Sequence, residues 1–193
     1  GNHFKREIDD LVLRLQDELP KAFRREDFSR EKQRLNSVYE QQGKELFDHL
    51  QKLAGEKGLM VQQGSQGQIL LIPKREERPM TSEEFDQLPD EEKEEIGRRQ
   101  QEVGIKINDV ISRQGEIGKR LRRDVRTVER DFAARIVAPL LKDLGQKFGS
   151  DRLSHWLETL RENILDNLGR FQERQQQNPQ LAALLGAQGM GQE

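Results

Sequence analysis

The sequence predicts a mainly α fold: an elongated, antiparallel coiled-coil arm of helices carrying one small β-hairpin. Three observations predict it. The 193 residues are 35% charged and only 33% hydrophobic, a thin supply of apolar surface for a globular core. The apolar residues nevertheless recur at steps of three and four, as long helices with narrow buried seams require. One stretch breaks that rhythm. Residues 58–74, GLMVQQGSQGQILLIPK, hold two apolar runs around a Gly-Ser-Gln-Gly break.

The N-terminal helices occupy residues 1–57. Phe4, Ile8, Leu11, Val12, Leu15 and Leu19 fall on one helical face, and Pro20 stops, kinks or restarts that helix. A second helix is expected from Asp27 or Ser29 to about Gly55, with a seam of Leu35, Val38, Leu46, Phe47, Leu50 and Leu53. The hairpin spans 58–74. Leu59 and Val61 share one strand face, Ile69 and Leu71 share another, and Pro73 ends the second strand. A two-stranded hairpin alone is marginal in water, so this one must lie against a helix or another domain.

Residues 75–88 read as a short helical connector in which Thr81 and Glu84 form a capping box. Pro89 suits the first turn of the next helix, and the acidic residues after it complement the helix dipole. Residues 89–148 form a long coiled-coil helix with a break near Pro139. Its seam is Ile96, Val103, Ile107, Val110, Gln114, Ile117, Leu121, Val125, Val128 and Phe132, with a phase slip near Leu121 to Val125. Gly97, Gly104, Gly115 and Gly118 weaken it or admit a close neighbour. A C-terminal helix over 149–175, capped by Ser150 or Asp151, presents Leu153, Trp156, Leu157, Leu160, Ile164, Leu168 and Phe171. The Gln/Gly-rich tail 176–193 is expected to be mobile, with LAALLG able to form a short turn.

The chemistry that the residues allow is limited. A net charge of −2 makes no demand for nucleic acid or an anionic membrane, and there are no cysteines for disulfide or thiolate chemistry. No apolar run approaches a membrane span and the first residues do not resemble a signal peptide, so the expected location is cytoplasmic. No GxxxxGK[ST] phosphate loop and no GxSxG elbow occurs. His3, His49 and His155 are scattered and make no metal-binding pair. No catalytic, cofactor-binding or metal residue is therefore assigned. The basic cluster KRLRRDVRTVERDFAAR admits two readings. It is a solvated helix face pairing with acidic neighbours, the preferred reading. Alternatively Arg120, Arg122, Arg123, Arg126 and Arg130 form a phosphate-contacting stripe for DNA. No aromatic interleaves these arginines for base stacking. The heptad seam likewise serves an intramolecular helical hairpin or drives self-association.

An ordered series of segments carries a family resemblance. LPKAFRREDFSREKQRL, LQKLAGEKGLMVQQGSQGQILLIP and RPMTSEEFDQLPDEEKEEI are followed by AARIVAPLLKDL and WLETLRENILDNLGRF. From about residue 4 to 175 the chain resembles the helical region of Lon-like ATP-dependent proteases. In that group an AAA+ ATPase module carries a large helical insertion, and a Lon-type peptidase domain with a serine–lysine dyad lies downstream. The most specific parts are the hairpin followed by PMTSEEFDQLP, and the final ILDNL helix; their order is the stronger signal.

The resemblance implies that this chain is the non-catalytic insertion region, while the parent protein uses ATP and Mg²⁺ and cuts peptides elsewhere. It implies unfolded protein substrates, the remainder of the parent, and a homo-oligomer formed through the parent as partners. The expected substrate contacts are Leu59, Met60, Val61, Ile69, Leu71 and Met80, an apolar arm tip to whose sheet edge an unfolded chain adds. The competing account is that the hairpin only caps the helices and buries its apolar face on them. The alternative function is a DNA-binding or oligomerising coiled coil.

Overall fold

The computed structural model describes residues 1–171. The elements follow the order α1 (Asn2–Phe23), α2 (Glu26–Glu56), β1 (Leu59–Gln63), β2 (Ile69–Arg75), β3 (Arg78–Pro79), α3 (Ser82–Asp86), α4 (Asp90–Phe148) and α5 (Asp151–Asp166). Two compact units arise. The first comprises residues 1–34 and, of the described residues, 123–171; the second is residues 35–122. The expectations for residues 172–193 lie outside the described residues.

The first unit is a helical core. Leu11, Leu15 and Leu19 recur every four residues on α1 and are buried with Ala133, Val137, Leu140, Leu141 and Leu144 of α4. Leu157, Ile164 and Leu165 of α5 complete the contact, followed by Leu168. Phe28 stacks edge-on against Phe23 and Phe132 at centroid distances of 5.2 and 5.3 Å. Ser150 caps α5, its hydroxyl accepting from Leu153 N–H at 3.3 Å.

Two prolines act differently from the sequence expectation. Pro20 lies inside α1, which continues to Phe23, and Pro139 lies inside an unbroken α4. Pro20 falls in the last turn and is itself buried, so packing offsets the bond that its missing N–H would have made to Gln16 O. Pro139 is exposed, and Val137, Leu140 and Leu141 on either side of it are held in the core. Packing of those neighbours offsets the single lost bond, so no break occurs near Pro139. Trp156, expected on the apolar face, is 41% exposed.

The second unit has a narrower core. Leu50 and Ala54 of α2, Leu59 of β1, and Val103 and Val110 of α4 are buried together, flanked by Leu46, Val61, Leu71, Ile96 and Ile107. Leu46, Leu50, Ile96, Val103, Ile107 and Val110 were expected on the helix seams; Gln114, also expected there, is exposed. Val38 is 43% exposed, while its neighbour Tyr39 is the half-buried residue on that turn.

The β element is a three-stranded antiparallel sheet in the order β1-β2-β3, not a lone hairpin. β1 and β2 pair in the register Leu59↔Pro73, Val61↔Leu71, Gln63↔Ile69. Gly67 turns the connection at φ +79°, a conformation open to glycine. β2 runs past Pro73 to Arg75, and β3 returns through Glu76 and Glu77 at φ +53° and +63°. That geometry fits a two-residue hairpin turn, which ordinarily takes Asn-Gly. The connector 75–88 is thus part strand and part helix. Its helix α3 starts as predicted, with Thr81 and Glu84 forming a reciprocal capping box.

Candidate functional site

The alternation of side chains divides the sheet into two faces. Leu59, Val61 and Leu71 share the inner face and pack into the core of the second unit; Leu59 is only 2% exposed. Of the six expected substrate contacts, Leu59 is thus buried in the core, and Val61 and Leu71 are half-buried against it. Leu59, with Val61 and Leu71 packed partly buried beside it, holds the sheet on α2 and α4. Ile69 is half-buried and lies nearer the turn.

The outer face carries Met60, Leu70 and Ile72, joined by the register Met60↔Ile72 and Gln62↔Leu70. Met60 and Ile72 are half-buried and Leu70 is 42% exposed. Beside them runs a groove of about 440 Å³ lined by Ile72, Pro73, Met80, Thr81, Phe85 and Gln100, among others. Of the expected contacts, Met60 and Met80 thus remain on accessible surface. The sequence reading did not single out Leu70, Ile72, Phe85 and Gln100, which lie on the same surface. Leu70 and Ile72 belong to the alternate phase of a strand whose other phase looked equally apolar. No local sequence signal places Gln100 against β2.

A polar frame fixes the groove wall. Arg78 donates to both oxygens of Glu84, at 2.6 and 3.1 Å, and Arg75 reaches the same carboxylate at 3.4 Å. The Arg78 guanidinium, aided by Thr81, holds the Glu84 carboxyl down at about 2. Lys93 lies over the Phe85 ring, 5.8 Å from its centroid, and donates to Asp86 O at 3.0 Å. The segment from Met80 to Asp86 is therefore anchored at several points.

The candidate DNA contacts do not behave as one stripe. Arg130 donates to Asp166 at 2.5 Å and to Glu162 at 2.9 Å, which commits it to the α4–α5 contact. Those two carboxylates push its own pKa up. Arg122, Arg123 and Arg126 are exposed on α4. Arg120 lines a separate groove of about 620 Å³ with Gln42, Glu45, His49 and Glu116. The bland reading of solvated, paired helix faces accounts for Arg130 directly.

Among the described residues, no group of three or more acidic or histidine side chains is placed to hold a metal ion. With no phosphate loop in the sequence, these residues do not fit the ATP and Mg²⁺ that the resemblance implies for the parent. Among the described residues, no helix is long and apolar enough to cross a membrane. Neither the protein-family models nor the curated proteins give a match to this chain.

Proposed function

We propose that this chain is the non-catalytic helical region of a Lon-like ATP-dependent serine protease, and that it engages unfolded protein substrates on the outer face of its small sheet. The family part of the reading rests on the ordered sequence segments from residue 4 to 175. The substrate part is carried by one observation: the apolar ledge of Met60, Leu70 and Ile72 runs into the groove walled by Met80 and Phe85. An unfolded chain supplies the apolar side chains that such a ledge covers.

On this reading α2 and α4 act within the second unit as an antiparallel coiled-coil arm. The seam of Leu46, Leu50 and Ala54 with Val103, Ile107 and Val110 supports it. The mechanism is mechanical. A stiff arm, joined to the parent's ATPase module, presents the ledge where chains arrive. ATP and Mg²⁺ belong to that module, and no residue of this chain is assigned to them.

Fluorescence anisotropy of a labelled, permanently unfolded protein tests the reading. Leu70→Asp places a charge on the ledge without entering the core and should weaken binding about tenfold, near 1.4 kcal/mol. Leu59→Asp is not a fair test, since it buries a charge in the core. Absence of saturable binding by the native chain would overturn the proposal.

A further inference from the structure

We infer that an extended segment of the bound polypeptide joins the sheet as a strand along the outer edge of β2, in line with β3; this rests on the reading that the sheet holds unfolded chains. The hydrogen bonds of β2 fix its phase. Lys74 N–H donates to Gly58 O at 3.0 Å, and Gly64 N–H donates to Gln68 O at 2.7 Å. Even-numbered residues of β2 thus turn their backbone groups toward β1, and odd-numbered residues turn theirs to the opposite side.

Four residues of β2 face that outer side: Ile69, Leu71, Pro73 and Arg75. Arg75 is paired with Arg78, and Pro73 O accepts Met80 N–H at 2.8 Å. The chain then leaves the sheet to cap α3. Beside Leu71 and Ile69 the third-strand position therefore has no backbone occupant among the described residues. Leu71 O instead accepts from the Gln100 side-chain amide at 3.1 Å. That amide stands where a strand's own N–H would stand. The N–H of Leu71 and both backbone groups of Ile69 have no protein partner among the described residues.

A strand entering there takes the place of the Gln100 amide on Leu71 O. The groove of about 440 Å³ along Pro73, Met80 and Phe85 lies at the end of that edge, where a side chain of the added strand can enter it. Only another extended backbone supplies both the donors and the acceptors that this edge lacks. The ligand class is thus a stretch of unfolded polypeptide, apolar at alternate positions and free of proline where its N–H must face β2. Pro73 shows that β2 itself accepts proline at an outward-facing position, because no bond to β1 is lost there.

The test titrates fluorescein-labelled, carboxymethylated lactalbumin, which stays unfolded, with the full chain and its Ile69→Pro variant. Ile69→Pro removes one outward donor and leaves the β1 ladder alone; binding should weaken about tenfold with the thermal unfolding curve unchanged. Two alternating Val/Thr octapeptides, N-methylated on opposite sets of residues, then compete with the label on the native chain. One should compete and the other should not, because only one has lost the N–H groups that face β2. Equal competition by both peptides overturns strand addition whether or not Ile69→Pro folds. If Leu70→Asp still abolishes binding in that case, the substrate-holding reading stands without it. No binding of lactalbumin to the native chain removes both.

Discussion

In the first unit, twelve buried residues from α1, α4, α5 and the turn after α5 form one cluster; in the second, five residues from α2, β1 and α4 do so. Both units draw on α2 and α4 but use apolar surface differently. The first closes it around a core reached from three helices. The second stretches it along a seam and one sheet face; each unit also leaves large apolar side chains exposed, Leu70, Ile105 and Ile111 in the second and Val12, Leu13 and Trp156 in the first. Segments with few buried contacts open at lower free energy, and binding surfaces are drawn from that end of the stability range. On the proposed reading, the first unit is the anchor and the second the working surface.

The sharpest way to break this comparison is to cut the same side chain in both units. Leu19 and Leu50 are 0% and 1% exposed. Leu19→Ala should cost about 3–5 kcal/mol, because helices on three sides cannot all close on the cavity. Leu50→Ala should cost about 2–3 kcal/mol, because the small sheet can settle onto α2. Urea unfolding followed by circular dichroism, with hydrogen exchange locating the loss, checks both. Equal costs, or a larger cost at Leu50, would remove the distinction between anchor and working surface.

A smaller effect of opposite sign belongs to the second unit alone. Glu76 and Glu77 both have positive φ in the tight turn between β2 and β3. Such backbone is unfavourable for residues with a Cβ, and two adjacent carboxylates also repel. Replacing the pair by Asn-Gly should stabilise the second unit by about 1 kcal/mol and leave the first unaltered. Hydrogen exchange at Met80 N–H, which bonds Pro73 O, reports the change where it occurs. No slowing there would mean that the turn is relaxed by its setting.

The same turn shows what could be read in the sequence and what could not. The helices, the hairpin turn, the Thr81 capping box and the seam through Leu50, Val103 and Val110 were legible, because each follows from local spacing or a cap. β3 was not, since Glu-Glu carries no turn signal and two residues of strand carry no alternation. The helix breaks were misplaced because tertiary packing around Pro20 and Pro139 overrides a local penalty. At the candidate site, strand alternation made both faces of β2 apolar, through Leu71 on one side and Leu70 and Ile72 on the other. Only the register and the position of α4 decide which face is buried. Gln100 is 29 positions from Leu71, a contact that no local pattern encodes.

The smallest effect contrasts two half-buried carboxylates, one in each unit. Glu7 accepts from Lys147 at 2.7 Å, and that hydrogen bond lowers its pKa from the ordinary 4.5. Glu84 is held lower, to about 2, by Arg78 first and by Thr81 of its own capping box. A carboxyl group whose pKa is lower folded than unfolded stabilises the fold fully above the unfolded value, and loses that contribution as pH falls. For Glu84 the window runs from 4.5 down to about 2. Protonation there weakens the bonds to Arg78 and Thr81 together, so the groove wall from Met80 to Phe85 should loosen while the core of the first unit holds. Carboxyl carbon NMR should place the Glu84 midpoint near 2, with the Met80 amide shift following it, and Arg78→Gln should move both toward 4.5. A Glu84 midpoint already at 4.5 in the native chain would mean that solvent screens the Arg78 pair, leaving the wall to be held by Met80 N–H and the packing of Phe85 alone.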